Sequence, residues 1–169
     1  WIAENPGWAG AVLFLIAFLE SLVVVGIFLP GIAILFGIGA LLGMGNASWV
    51  PLWVGGSLGA FCGDVLSFYI GHRYQEQLRR VWPFSRYPGM LVRGMSFFQR
   101  YGTWSVLAGR FIGPLRPVVT TPVGMLGMHW RRFLAVCIPA CILWTPAYLL
   151  PGVLFGASLE VASEYAGRL

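Results

Sequence analysis

The sequence predicts an all-α integral membrane protein, organised as an inverted repeat of two opposed re-entrant helical hairpins, each followed by a transmembrane helix. Three observations lead there. Of the 169 residues, 58% are hydrophobic and only 10% charged, with a mean hydropathy of +0.78, far from the balance of a water-soluble domain. The apolar runs are interrupted by 23 glycines and 11 prolines, which a bilayer tolerates where neighbouring helices or water satisfy the freed backbone groups. All 11 basic residues are arginines, and six of them fall in the stretch 73–100, whose only acid is Glu76. A basic soluble chain would suggest nucleic acid; in this setting the arginines mark a cytoplasmic loop of a multi-pass protein, because positive charge near the ends of spans sets orientation.

The first half covers residues 1–71. The chain begins at Trp1 rather than Met, so the expectation is a piece excised from a longer polypeptide. Residues 8–44 are apolar apart from Glu20, Ser21 and the Pro30-Gly31 dipeptide. The part after that dipeptide, 32–44, would reach only about 20 Å as a helix, short of a hydrocarbon core of about 30 Å. A hairpin that enters, breaks at Pro30 and Gly31 and leaves on the same side fits this length. After a short turn at 45–48, residues 49–71 are long enough to cross, and they carry one acid, Asp64.

A cytoplasmic arginine-rich loop follows at 72–100, with WPFSRYPG marking irregular backbone. The second half, 101–169, repeats the plan. Residues 104–128 are interrupted by GRFIGPLRPVVTTPVG, with breaks expected at Gly113, Pro114 and Pro117; a polar turn, His129-Trp130-Arg131-Arg132, leads into a second span over 133–159. The halves also resemble one another: ALLGMGNASW (40–49) matches GMLGMHW (124–130), and YIG (69–71) falls about where LFG (154–156) does. The turn after the first hairpin has no arginine and the turn after the second has two, so the hairpins should open to opposite sides. Transporter sites form at the midplane of such repeats, between discontinuous helices.

Three charges fall at that depth. Glu20 lies eleven residues beyond Ala9, about 16 Å along a helix, and Arg110 and Arg116 occupy the corresponding region of the second half. Each costs about 2.5–3.5 kcal/mol at bilayer centre on insertion scales unless partnered or hydrated. In a straight helix two residues six apart point about 120° away from one another; Gly113, Pro114 and Pro117 remove that constraint and let both guanidinium groups face one cavity. Two arginines against one or two acids leave positive charge to spare. A planar, forked, permanently charged guanidinium suits phosphate, so an anionic lipid headgroup fits the surplus. The alternative is that Arg110 snorkels to the interface and Arg116 neutralises Glu20. Glu20 and Asp64 are candidates for proton coupling or counter-charge, while a structural hydrogen bond or ion pair remains open for Asp64. Cys62, Cys137 and Cys141 match no metal or disulfide framework, and Cys137 and Cys141 share a helix face as small packing residues. His72 and His129 lie far apart, so neither a metal site nor a cofactor is expected. There is no activated nucleophile motif, and the chain reads as a transporter rather than an enzyme.

Taken in order, these residues resemble the DedA family, also grouped as SNARE-associated or VTT-domain membrane proteins. The resemblance rests on Phe98-Gln99-Arg100-Tyr101-Gly102, then Gly109-Arg110-Phe111-Ile112 with Arg116 six residues after Arg110, and Gly124-Met125; Glu20 with Leu29-Pro30-Gly31, and Gly63-Asp64 with Tyr69 and Gly71, complete it. It implies opposed re-entrant hairpins, a place in the bacterial cytoplasmic (inner) membrane, and a flippase function. The lipid implied is undecaprenyl phosphate, the polyprenyl-phosphate carrier recycled in cell-envelope synthesis, with proton-coupled transport. Glu20, Arg110 and Arg116 match the family's functional positions. Two departures stand out: Ile32 occupies the place of a frequent second acid, and Gly113-Pro114 replaces the commoner Pro-Gly, with Pro117 and Thr120-Thr121 nearby. The partners implied are the bilayer and an anionic lipid and not nucleic acid; a homodimer and a fused phosphatase domain are left open. The competing readings are an ion or small-solute secondary transporter on the same scaffold, and a non-catalytic membrane module supporting a fused lipid phosphatase.

Overall fold

A computed structural model describes residues 6–22, 31–43, 49–80, 85–111 and 116–166. These residues form helices and, among them, no strand. The helices are α1 (Pro6–Ser21), α2 (Gly31–Gly43), α3 (Trp49–Arg73), α4 (Gln75–Arg80), α5 (Pro88–Tyr101), α6 (Trp104–Phe111), α7 (Arg116–Met125) and α8 (Trp130–Ala166). Among the described residues two helices are long and apolar enough to cross a membrane, α3 and the Trp130–Ser158 part of α8. Their outward faces are lined by large apolar side chains such as Val54, Leu58, Ile142 and Leu154, a covering that suits lipid and not water. The other apolar helices are short. At 16 and 13 residues, α1 and α2 measure about 24 and 20 Å, and at 8 and 10 residues α6 and α7 measure about 12 and 15 Å.

Close packing is set by glycines. A row at Gly55, Gly59 and Gly63 on α3 lies directly on the α1 backbone at Gly10, Phe14 and Phe18, so a Cβ at any of the three would meet a main-chain atom. The register rises on both helices together, which makes α1 and α3 parallel. Gly39 and Gly43 on α2 meet Gly152, Val153 and Ala157 on α8 in the same way, and Gly156 backs onto Ala40. In a bilayer, where apolar burial gives helices no preference for one another over lipid, such close approach supplies the van der Waals contact that holds them. Gly71 of α3 rests on Thr121 of α7, and Gly124 of α7 rests on Phe68 and His72. The packing is therefore reciprocal: α1 lies on α3 and α6 on α8, while α2 lies on α8 and α7 on α3.

The spans α3 and α8 run antiparallel, with Trp53 near Ile142, Ser57 near Thr145, and Phe68 stacked on Phe133 at 4.1 Å between ring centroids. Phe68 also reaches Trp130 at 5.3 Å and His72 at 6.0 Å. This aromatic knot brings the basic end of α3 and the basic start of α8 to one end of the bundle. Pro139, Pro146 and Pro151 lie inside α8 without ending it. Pro146 has no N–H to give the carbonyl of Ile142, and the indole of Trp53 donates to that carbonyl at 3.0 Å. With no water to replace it, Trp53→Phe should lower stability by about 1–3 kcal/mol, measured as a lower unfolding midpoint in denaturant titrations of bilayer-embedded protein.

The stretch read from sequence as a loop at 72–100 is largely helical. Of WPFSRYPG, residues 82–84 lie outside the described residues and Ser85 and Arg86 form a turn; Pro88 then opens α5 at its first turn, where its missing N–H costs nothing. Leu91, Met95 and Phe98 recur at helical spacing toward the bundle while Val92, Arg93, Gln99 and Arg100 face out. Gly102, at φ 55°, closes α5 by donating to Phe98.

Candidate functional site

Asp64 sits in the interior of α3 and Arg110 in the last turn of α6, which packs on α7 and α8. Their side chains form an ion pair, Nη1 of Arg110 donating to Oδ2 of Asp64, with only 3% and 2% of each residue exposed. The guanidinium also lies 5.6 Å from the centre of the Trp144 ring, a cation–π contact. Its Nε and Nη2 are buried without a hydrogen-bond partner among the described residues. A forked donor with two nitrogens to spare, held in a water-poor interior, can receive two oxygens of an anion at once.

Two cysteines of α8 border the pair. The Cys137 thiol is 3.8 Å from Oδ2 of Asp64, and the Cys137 and Cys141 sulfurs are 3.7 Å apart. Glu20 is half-buried in the last turn of α1, where Ser21 packs on Gly63 and its carbonyl accepts a hydrogen bond from Ser67 at 2.8 Å. That contact sets Glu20 at the level of Asp64. Arg116 opens α7, but its side chain lies outside the described residues. Gly31 begins α2, and Pro117 falls in the first turn of α7, a position that proline accepts without breaking the helix. Pro30, Gly113 and Pro114 lie outside the described residues.

Sequence reasoning passed over Trp144 as a partner of Arg110 and treated the cysteines only as packing. A signal existed: Phe133, Cys137, Ala140, Cys141, Trp144 and Thr145 recur every three or four residues and are all buried, a face whose small polar members stand opposite Asp64.

Two cavities open in the same bundle. One of about 620 Å³ at the basic end is bordered by Phe98, Gly102, Thr103, His129 and Arg132; α6 runs from there to Arg110, about 10 Å further in. The other, about 240 Å³ and apolar, lies between α3 and α8 against Leu58, Phe61, Ile138 and Cys141.

Comparison with known proteins decides the family. The VTT domain matches residues 29–154, a span that holds Pro30, Gly31, Asp64, Arg110 and Arg116 and excludes Glu20. The chain belongs to the VTT-domain, or DedA, family. Among relatives of this VTT domain are the inner membrane protein YabI of Escherichia coli, 36% identical over 95% of this chain and 63% of YabI; an uncharacterized membrane protein of Buchnera aphidicola, 34% identical over 98% of this chain and 65% of that protein; and the protein DedA of Escherichia coli, 29% identical over 92% of this chain and 72% of DedA. The chain thus spans somewhat less than two thirds of the length of the first two. No solved structure matches it.

Proposed function

We propose that this VTT-domain protein is a flippase for a lipid with a phosphate headgroup, undecaprenyl phosphate above all, in the bacterial cytoplasmic membrane. The observation that carries the reading is the Arg110 guanidinium, buried beside Asp64 with two nitrogens left over among the described residues. A phosphate oxygen pair would occupy those nitrogens, and Arg116 is the second phosphate ligand. Asp64 is the counter-charge that holds Arg110 in place between lipid cycles. Protons reaching Asp64 or Glu20 would release guanidinium charge toward the headgroup, which links lipid movement to a proton gradient.

The architecture in this reading is a pair of re-entrant hairpins, α1–α2 and α6–α7, opening to opposite faces. Its support is the shortness of all four arms and the reciprocal packing of first and second arms on the two spans. The end bearing Arg73, Arg93, Arg131 and Arg132 is cytoplasmic. Alternating exposure then comes from one half shifting against the other around the Asp64–Arg110 pair.

The test is reconstitution into liposomes, with the accessibility of the lipid phosphate at the outer leaflet followed with and without a pH gradient. Undecaprenyl phosphate should equilibrate across the bilayer faster than in protein-free vesicles, and faster again with the gradient. Movement of ions or small solutes with no lipid movement would support the small-solute transporter instead. No movement of either would favour a module that supports a partner enzyme.

A further inference from the structure

We propose that Asp64, Cys137 and Cys141 form a binding site for a thiophilic divalent cation, with zinc and cadmium as the matching chemistry. Three donors of the right kind converge from two helices: all three are buried, and their ligand atoms lie within 4.8 Å of one another. The spacings are those a tetrahedral ion requires. Zn–S bonds of about 2.3 Å at the tetrahedral angle hold two sulfurs about 3.7–3.8 Å apart, and a sulfur and a carboxylate oxygen about 3.5 Å apart. Here the sulfurs are 3.7 Å apart and Cys137 Sγ is 3.8 Å from Oδ2 of Asp64. Cys137 and Cys141, one helical turn apart on α8, present both sulfurs to the same point without backbone movement. Thiolate ligands select zinc and its heavier congener over magnesium or calcium.

Charge balance explains how a cation is accommodated beside Arg110. Before binding, the cluster holds one carboxylate, one guanidinium and two neutral thiols. Binding forms two metal–sulfur bonds and releases the two thiol protons, so two thiolates and one carboxylate face one guanidinium and one divalent ion. The cluster is electrically neutral in both states, which avoids the large cost of an uncompensated charge at membrane depth. Arg110 takes the place of the hydrogen-bonded partner that ligating carboxylates ordinarily have. Three protein ligands leave one coordination position open, and Cys141 borders the apolar cavity between α3 and α8, so its sulfur is the ligand nearest the outside of the bundle.

The experiment is a titration of the full chain, purified in detergent with its cysteines reduced, with cadmium ions, following the ultraviolet sulfur-to-cadmium charge-transfer band; zinc is then measured by competition. The expected result is one cadmium per chain, with Cys137→Ser and Cys141→Ser each weakening binding at least tenfold and Asp64→Asn weakening it with the band retained. Cys62→Ser, at an exposed position, should leave the titration unchanged and supplies a folded reference if a core variant misfolds. Absence of the band in the wild type, or its loss in Cys62→Ser, overturns the proposal. Lipid transport does not enter the readout, so the proposed function and this site succeed or fail separately.

Discussion

Arg110→Ala should abolish movement of undecaprenyl phosphate in reconstituted vesicles while the protein still inserts and purifies as a membrane protein. Among the described residues the guanidinium bonds to Asp64 and leaves two buried nitrogens, which the proposed headgroup would occupy. Charge-assisted hydrogen bonds of this kind are worth about 1.5–3 kcal/mol each, so losing two corresponds to a loss of affinity of at least a hundredfold. Arg110→Lys is the sharper variant. It keeps the charge beside Asp64 but replaces the fork by a single ammonium, and should retain folding yet lose at least tenfold in transport. Full activity of Arg110→Lys would mean that only net charge matters at this position.

Asp64→Ala should cost about 3–5 kcal/mol of stability. It strands a guanidinium of which 3% is exposed, and an unpaired buried charge has no water to turn to. The double variant Asp64→Leu with Arg110→Met removes both charges and should recover most of that loss, because apolar replacement of a complete buried pair is often neutral or better. Reversible unfolding in denaturant reads both. A double variant as unstable as Asp64→Ala would show that the pair contributes more than the avoidance of a stranded charge. The recovered double variant should still be inactive in transport, which separates the fold's requirement from the function's.

Much of this was legible in the sequence because membrane depth leaves few options. The apolar run after Pro30-Gly31 is too short to cross a membrane as a helix, and α2 has 13 residues. Charges in an apolar run are expensive enough that Asp64 and Arg110 stood out before their contact was visible. Their pairing was not legible: the two residues are 46 apart in sequence, and nothing local in either segment fixes the rotation that turns Asp64 toward α6 and α8. The rotation comes from Gly55, Gly59 and Gly63, which commit one face of α3 to α1. The helical nature of 88–101 was present in the spacing of Leu91, Met95 and Phe98, but arginines and prolines on either side read as loop chemistry. The reach of Trp53 to the Ile142 carbonyl follows a proline's missing N–H across to another helix, and one-dimensional patterns hold no trace of such a contact.

Recognition of a phosphate by Arg110 can be read in a single comparison. It is tested most directly by the affinity of the purified chain for undecaprenyl phosphate against undecaprenol, the same tail without the phosphate, in the wild type and in Arg110→Met. The wild type should prefer the phosphate-bearing lipid at least tenfold, and Arg110→Met should bind the two alike. An unchanged preference in Arg110→Met would contradict phosphate recognition by Arg110.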